Sequence, residues 1–372
     1  MTNKKVTAAI VTYNRLALLK ESLQAVLDQT DYLSHVIVVN NKSNDGTAEY
    51  LATIEDPRVV VYNSPDNLGG AGGFNKAVRL FAEELDDNYV WLMDDDTIVE
   101  PDALKYLVEF MEENENVGFV NSVVRWGSRN GNPSWMNVPA PRGFTWQSHL
   151  NVENNGIEVV NSTFVSVMLS RDMVAMVGLP QKEYFIWGDD MEYTNRIADV
   201  NRGYTVLNSI VVHKSKENSM PGDVIREKDE SRLWRYGYEF RNRILTGRRI
   251  NKRDAKNLAK GAFRYELPRV LLKRNVKFRI KKAKMIIGGV FRGLSFNPQI
   301  EYANIPRKQK RSINAILRAY QLANPEERVT LDREIEIIKS IQLDDLKGIT
   351  NKADKFIANY EREQAKAQQD SK

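Results

Sequence analysis

Five consecutive apolar or aromatic residues, Tyr89-Val90-Trp91-Leu92-Met93, run straight into three carboxylates, Asp94-Asp95-Asp96. The apolar run reads as a buried strand. Adjacent carboxylates repel one another and resist burial, so they are not there for packing. The strand therefore ends where the core ends. A solvated acidic turn would satisfy these three residues. So would a hard divalent cation, Mg²⁺ or Mn²⁺, of the kind that binds together with phosphate oxygens.

The first 125 residues around that strand alternate two periodicities. Strand patterns cover 6–11, 35–39, 58–62, 89–93 and 117–124. Between them, Asn14 is placed to cap a helix that carries Leu16, Leu19, Leu23, Val26 and Leu27 at helical spacing. Ser43 to Gly46 opens a second helix, Gly73 to Leu85 forms a third, and Pro101 fits the first turn of a fourth. This alternation predicts an α/β fold with a mostly parallel sheet and helices on both faces. Ligands then bind at the carboxyl ends of the strands. Thr12-Tyr13-Asn14, Asn40-Asn41 and Asp94–Asp96 all fall at such ends, so one site can use all three.

Residues 126–156 are irregular and rich in Gly, Pro, Asn and Trp, which suggests a functional loop or lid. Strand-like runs return at 157–169 and 205–212, and from about 226 the pattern is helical and basic. Residues 308–366 read as amphipathic helices, with a frayed tail from Gln364.

The chain has no cysteine, which excludes disulfides and thiol catalysis, and three histidines, too few for a His-rich metal site. No apolar signal region opens it, and no apolar stretch reaches the roughly 20 residues of a membrane span. A cytoplasmic protein is expected. The net charge of +5 is unevenly spread. Residues 226–292 hold 22 Lys/Arg and 6 Asp/Glu, an excess of +16 that leaves −11 on the remainder. Such a segment suits nucleic acid or an anionic membrane surface, or simply presents solvated helix faces.

Three further groups carry chemistry. Asp66-Asn67-Leu68-Gly69-Gly70-Ala71-Gly72-Gly73-Phe74 leads into a helix N-terminus, a natural anion site, yet it is neither a Walker A loop nor a dinucleotide fingerprint. Asp189-Asp190 follows Trp187-Gly188. A helix starting there would hold both carboxylates ionised in its first turn, ready for general-base work or for plain capping. His213 ends a strand, where it either completes a metal shell with carboxylates or is an ordinary surface histidine.

In chain order, Val11-Thr12-Tyr13-Asn14-Arg15, Val38-Val39-Asn40-Asn41-Lys42-Ser43-Asn44-Asp45-Gly46-Thr47, Asp94-Asp95-Asp96 and Asp189-Asp190 resemble glycosyltransferase family 2. The resemblance covers about 5–250. Asn67 to Phe74, Trp187 to Tyr193, His213 and Arg241-Asn242-Arg243 are similar to its bacterial galactofuranosyltransferase and rhamnosyltransferase branch. This implies a GT-A fold and inverting chemistry. Residues 1–225 would form the catalytic domain, with a nucleotide-sugar half at 1–125 and an acceptor half at 126–225. Residues 226–372 would add a basic helical region for a membrane surface or for homo-oligomerisation.

The resemblance also implies roles. Thr12, Tyr13, Arg15 and Asn40 would hold the nucleobase and ribose of a UDP- or dTDP-sugar. Asn67, Gly69, Gly70 and Gly73 would lie against the diphosphate and sugar. Asp94 and Asp96, with His213, would bind Mn²⁺ or Mg²⁺, and Asp95 would contact the donor. Asp190 would deprotonate the acceptor hydroxyl, with Asp189 and Trp187 lining the acceptor pocket. Acceptors in this branch are glycans or lipid-linked glycans, which points to the inner face of the cell membrane. Two departures matter. Asn40 stands where the family commonly has aspartate, and the Gln-x-x-Arg-Trp signature of processive synthases is missing, so one or a few sugars would be added.

Two other classes compete. A nucleotidyltransferase needs a glycine loop with Lys or Arg after the first strand, and Tyr13-Asn14-Arg15 has no glycine. A nucleic-acid binder would use Trp234, Tyr236, Tyr238, Phe240, Phe263 and Tyr265 among the basic residues, but leaves both acidic clusters unexplained. No nucleic acid is expected. Leu267 to Leu294, apolar and basic together, reads instead as an interfacial helix.

Overall fold

A computed structural model describes residues 4–114, 116–143, 155–218, 223–250 and 252–304. The amphipathic helices expected at 308–366 and part of the irregular stretch, 144–154, lie outside the described residues. The described residues belong to one compact unit, residues 1–305.

Among them, one sheet contains β1 (Val6–Thr12), β2 (Leu33–Asn40), β3 (Val59–Asn63), β4 (Tyr89–Asp94), β5 (Thr97–Val99), β6 (Val117–Trp126), β7 (Gly156–Val159), β8 (Val167–Ser170) and β9 (Arg202–His213). The order is β3-β2-β1-β4-β8-β6-β9-β5, with β7 also paired to β9. The block β3-β2-β1-β4 is parallel throughout, as the alternation predicts. Beyond it, β8 runs antiparallel to β4 and β6, and β9 parallel to β6. In register, Thr12 stands beside Asn40 and Val11 beside Asp94. The ends of β1, β2 and β4 therefore open on one edge, and the expected α/β fold with a sheet flanked by helices is the one adopted.

Strand alternation divides the core in two. Ala8, Ile10, Val36, Val38, Trp91 and Met93 pack on one side against α1 (Leu16–Leu27) and α4 (Ala103–Glu113). Ala9, Val11, Ile37, Val39, Val90 and Leu92 pack on the other against α3 (Gly69–Glu84), α5 (Arg171–Val177) and α6 (Asp189–Ala198). Each fully buried aliphatic side chain contributes about 1.5–3 kcal/mol. The short helix α2 (Thr47–Ala52) follows β2.

A third cluster, including Leu233, Tyr236, Phe240, Val270, Ile286 and Val290, forms a helical layer. It is built from α7 (Trp234–Ile250), α8 (Lys252–Gly261), a π-helical segment (Ala262–Glu266), α9 (Leu267–Leu272) and α10 (Arg279–Ser295). Arg249 joins this layer to α6 through Glu192 (2.5 Å), which also pairs with Arg196 (3.0 Å). Among the described residues no helix is long and apolar enough to cross a membrane.

Three local expectations change. Asn14 does not cap α1. Its φ is +54°, its side chain accepts from Asn44 N, and Asp45 from the next loop accepts from Leu16 N at 2.9 Å instead. The run 157–169 is two strands, because Asn161, Ser162 and Thr163 turn to bond Ala140, Thr194 and Asn137 rather than continue a ladder. Helix α3 starts at Gly69, four residues before the expected Gly73.

That early start depends on Gly69. Its φ is +71°, and a Cβ there would lie 2.1 Å from the Phe185 carbonyl oxygen. Gly69→Ala is expected to cost about 1–2 kcal/mol for the left-handed backbone and about 1–3 kcal/mol for overpacking. Gly70 has nothing within 4 Å of its would-be Cβ. Gly70→Ala should instead gain up to about 1 kcal/mol of helix propensity. Urea unfolding of the two variants should show opposite shifts in midpoint. Equal shifts would mean the Gly69–Phe185 contact does not constrain the chain.

Candidate active site

The sheet edge gathers the acidic triad with groups from two other strand ends, those of β1 and β9. Asp95 is buried. It accepts from Thr12 Oγ1 (2.8 Å) and Tyr13 N (3.4 Å) after β1, and from Arg15 Nη1 (3.2 Å). Burial pushes Asp95 up to about 6 against the pull of Arg15. The same Nη1 reaches Asp96 Oδ2 at 2.7 Å. Arg15, expected beside the nucleobase, thus lies across two carboxylates, which draw the nearest cation. Burial would raise Asp96 too, but His213 and Arg15 hold it below the ordinary carboxylate value.

His213, at the end of β9, faces Asp96 with Nε2 3.2 Å from Oδ1. Its other nitrogen, Nδ1, is 2.9 Å from Asn137 Oδ1. Asn137 is oriented by Ser134, whose hydroxyl donates to the same Oδ1 (2.6 Å), and by Thr163, which accepts from Nδ2 (2.8 Å). With a proton on Nδ1 toward Asn137 Oδ1, Nε2 is left to face Asp96: protonated it pairs with Oδ1, neutral it presents a lone pair there. Asp96 Oδ1 is buried and has no hydrogen-bond partner. With the ring neutral, Nε2 and Asp96 Oδ1 are two atoms of the kind that bind a divalent cation. Asp94, partly buried beside them, has no side-chain partner among the described residues. Burial, then Asp96 and Asp95, push it well above the usual carboxylate range, and Asp190 adds to the rise. Among the described residues, no three His, Asp or Glu side chains are already gathered in ligand geometry.

The second acidic pair faces the same space. Helix α6 starts at Asp189, with Asp189, Asp190 and Glu192 in its first turn. Burial pushes Asp190 up to about 6. Burial and then Asp190 push Asp189 well above the usual carboxylate range. The loop before them is contorted: φ is +63° at Phe185, +64° at Trp187 and +89° at Gly188. Asn242 of α7, itself buried, holds that loop. Its Nδ2 faces the carbonyls of Tyr184 (3.0 Å), Ile186 (3.0 Å) and Trp187 (2.8 Å). Arg241 adds a bond to Tyr184 O (3.2 Å). Trp187 meets the Tyr236 ring edge-on at 5.4 Å. Phe185 stacks on Tyr238 at 5.2 Å.

The glycine segment closes the cleft. Phe185 O accepts from Ala71 N (3.2 Å) in the first turn of α3. Asn67 accepts from Gly69 N (2.9 Å). Gly73 lets α3 approach β1, since a Cβ there would lie 2.4 Å from Val11 Cγ1. Gly70 stays open. Asn41 is the organiser, bonding Asn67 Oδ1 (3.2 Å), Gly69 O (2.9 Å) and Leu68 N (2.7 Å). Asn40 is buried and engaged by Asn63 (2.8 Å) and Ser43 N (3.0 Å). Tyr13 is half exposed at the rim.

Sequence reasoning gave no role to Asn41, Asn137 or Ser134. A strand-end position was the only signal for Asn41, and the other two had none.

Residues 7–172 match the sequence profile of the family described as glycosyl transferase family 2. The chain is 30% identical over 201 residues to galactofuranosyltransferase GlfT1 of Mycolicibacterium smegmatis, covering 52% of this chain and 65% of that protein. It therefore spans less than two thirds of that relative's length. It is 28% identical over 184 residues to a putative teichuronic acid biosynthesis glycosyltransferase, TuaG, of Bacillus subtilis, covering 48% and 68%. A crystal structure of GalNAc-T7 with UDP, GalNAc and Mn²⁺ superposes with a TM-score of 0.49 at 14% identity, over 66% of this chain and 52% of that one. Residues 7–172, with the strand-end motifs they carry, are thus similar to glycosyl transferase family 2.

Proposed function

We propose that the protein is a metal-dependent inverting glycosyltransferase that moves galactofuranose from UDP-galactofuranose to a hydroxyl of a glycan or lipid-linked glycan. The observation that carries the reading is the pair of carboxylate groups, Asp94–Asp96 at the end of β4 and Asp189-Asp190 at the start of α6, near enough for the Asp190 charge to act on Asp94. The galactofuranosyltransferase relatives support the donor, and the site residues are assigned as follows.

Asp94, Asp96 and His213 would hold the divalent cation, Mn²⁺ or Mg²⁺. The unpartnered Asp96 Oδ1, the Nε2 lone pair and the unpartnered Asp94 fit such an ion. When bound it supplies positive charge to a departing diphosphate. Arg15 moves from the carboxylates toward the donor. Thr12 and Tyr13 line the nucleoside side, and Asn40 supports that wall through Ser43 and Asn63. Asn67 fixes the first turn of α3 through Gly69 N, and the Gly70 N–H in that turn suits a phosphate oxygen. Asp190 takes the proton from the acceptor hydroxyl while its oxygen bonds to the anomeric carbon. The anomeric C–O bond to the diphosphate breaks with its electron pair, so the configuration inverts. Asp189 and Trp187 line the acceptor side. The catalytic domain takes in residues 1–225, and the helical layer positions its acceptor loop.

Asp190→Asn is expected to lower kcat by about 10²–10⁴-fold while leaving donor affinity nearly unchanged. Near-wild-type transfer by this variant would remove Asp190 as the base. With its carboxyl near 6 in the free protein, kcat/KM should fall as pH drops through about 6 and level off above it, because only the ionised form accepts a proton. A flat profile across that range would exclude this group.

Calorimetric titration of UDP and dTDP, with Mn²⁺ and with EDTA, tests the donor side. UDP should bind better with Mn²⁺, and Asp96→Ala should abolish the difference. Metal-independent binding by the wild type would refute the ion site, and preference for dTDP would refute the donor.

Asn242→Asp replaces the amide that holds three carbonyls with a group that repels them. It should lower kcat by about 10²-fold through misplacement of Asp190, with UDP affinity kept. An unchanged kcat would show that the loop holds its shape without this clamp.

A further inference from the structure

The basic helical layer has a surface that the transfer reading does not use. Residues 267–294 contain nine Lys/Arg and no Asp or Glu. Helix α10 buries Ala283, Ile286, Gly289, Val290 and Gly293. Gly289 and Gly293 bring it directly onto α7, since a Cβ at either would lie within 3 Å of Phe240, Gly237, Arg241 or Ile244. An amphipathic helix would be polar on the side away from this packing. On α10 the apolar surface instead runs on past the packed face onto its flank: Ile280 is 67% exposed, Ile287 36%, Phe291 62% and Leu294 56%. Their spacings of seven, four and three residues align them along one line of the helix.

The stripe is extended by its neighbours. The Phe263 ring meets Phe291 at 6.2 Å. Leu271 and Leu272 end α9, the latter 80% exposed. Arg279 binds that turn to the start of α10 by donating to Leu271 O (2.9 Å) and Lys273 O (2.8 Å). Lys273, Arg274, Lys277 and Lys284 are exposed around the stripe. None of them has an ion-pair partner among the described residues.

We propose that this face, the Ile280–Ile287–Phe291–Leu294 stripe with Leu271, Leu272 and its basic rim, docks on the surface of an anionic lipid bilayer. Exposed aliphatic and aromatic groups enter the acyl boundary while cations of one sign meet anionic headgroups. A second copy of the chain fits poorly, because a two-fold contact would set this rim against itself. Nucleic acid would satisfy the cations and leave the aliphatic stripe in water. The inner face of α10 rests on α7, and α7 grips the loop before Asp189 and Asp190. Bilayer contact therefore lies one helix layer from the acceptor carboxylates. The docking itself does not depend on the transfer reading, and its test does not measure transfer.

The full chain is floated with vesicles of phosphatidylglycerol mixed with phosphatidylcholine, and with phosphatidylcholine alone. Binding to the anionic vesicles and loss of it on the neutral ones are expected. Ile287→Asp and Phe291→Asp, made singly, should each lower the bound fraction by about tenfold. Lys273→Glu with Lys277→Glu should do the same, with circular dichroism unchanged in every case. A wild-type chain that stays in solution with anionic vesicles overturns the proposal. So does undiminished binding after loss of the apolar stripe. A change of oligomeric state on Phe291→Asp, with vesicle binding kept, would make the face a self-interface and overturn it as well.

Discussion

Negative charge held at the edge of the sheet is the constraint that orders this cleft. Asp94, Asp95 and Asp96 leave β4 together, and none can be buried without a partner. Thr12, Tyr13 N and Arg15 answer Asp95 from the end of β1, and His213 answers Asp96 from the end of β9. The register places them there: Val11 stands beside Asp94, and Thr97 beside His213. A one-residue slip of either strand would turn these side chains to the other face. The parallel block and the mixed half of the sheet thus meet at a single electrostatic requirement.

The acceptor side is built by different physics. Positive φ at Phe185 and Trp187 costs about 1–3 kcal/mol at each residue, against which Phe185 has one local bond, from its N–H to Lys182 O. Asn242, Arg241 and the stacked Tyr238 come from α7, more than 50 residues further along the chain. The helical layer therefore does geometric work on the sheet domain. It holds a loop whose own sequence would not choose that shape, and so fixes where α6 begins.

Much of this was legible, for reasons that can be named. Strong apolar runs gave β1, β2, β4 and β6, and the three ends carrying Thr12, Asn40 and Asp94 were correctly grouped. The helix start at Asp189 also follows from the sequence. Other features were hidden. Gly69 to Gly73 show no helix signal, because helical backbone there depends on packing against Val11 and Phe185 rather than on propensity. Asn14 looked like a cap, but Asp45, 29 residues away, reaches Leu16 first. The partner of His213, Asn137, stands in unremarkable sequence, and Asn242 stands in the singled-out run Arg241-Asn242-Arg243 without a sign of its partner; only the fold brings them to His213 and to the loop at 184–187.

The charge of the basic segment was visible in sequence, but its meaning was not. Charge alone fits a nucleic acid, a bilayer or solvent equally. What separates them is which apolar residues the helical layer has already used. Ile286 and Val290 are consumed against α7, whereas Ile287 and Phe291, one position along, are not. A helix whose apolar face is wider than its packing, with a one-signed rim, cannot be recognised from composition, because the packed and the exposed parts of that face contribute the same residue types. The same helix pair that offers this surface also holds Asn242 in place. Contact at the outer face and order in the acceptor loop are therefore linked through one rigid layer, whereas the cation-binding end of the cleft is set by strand register and should be indifferent to it.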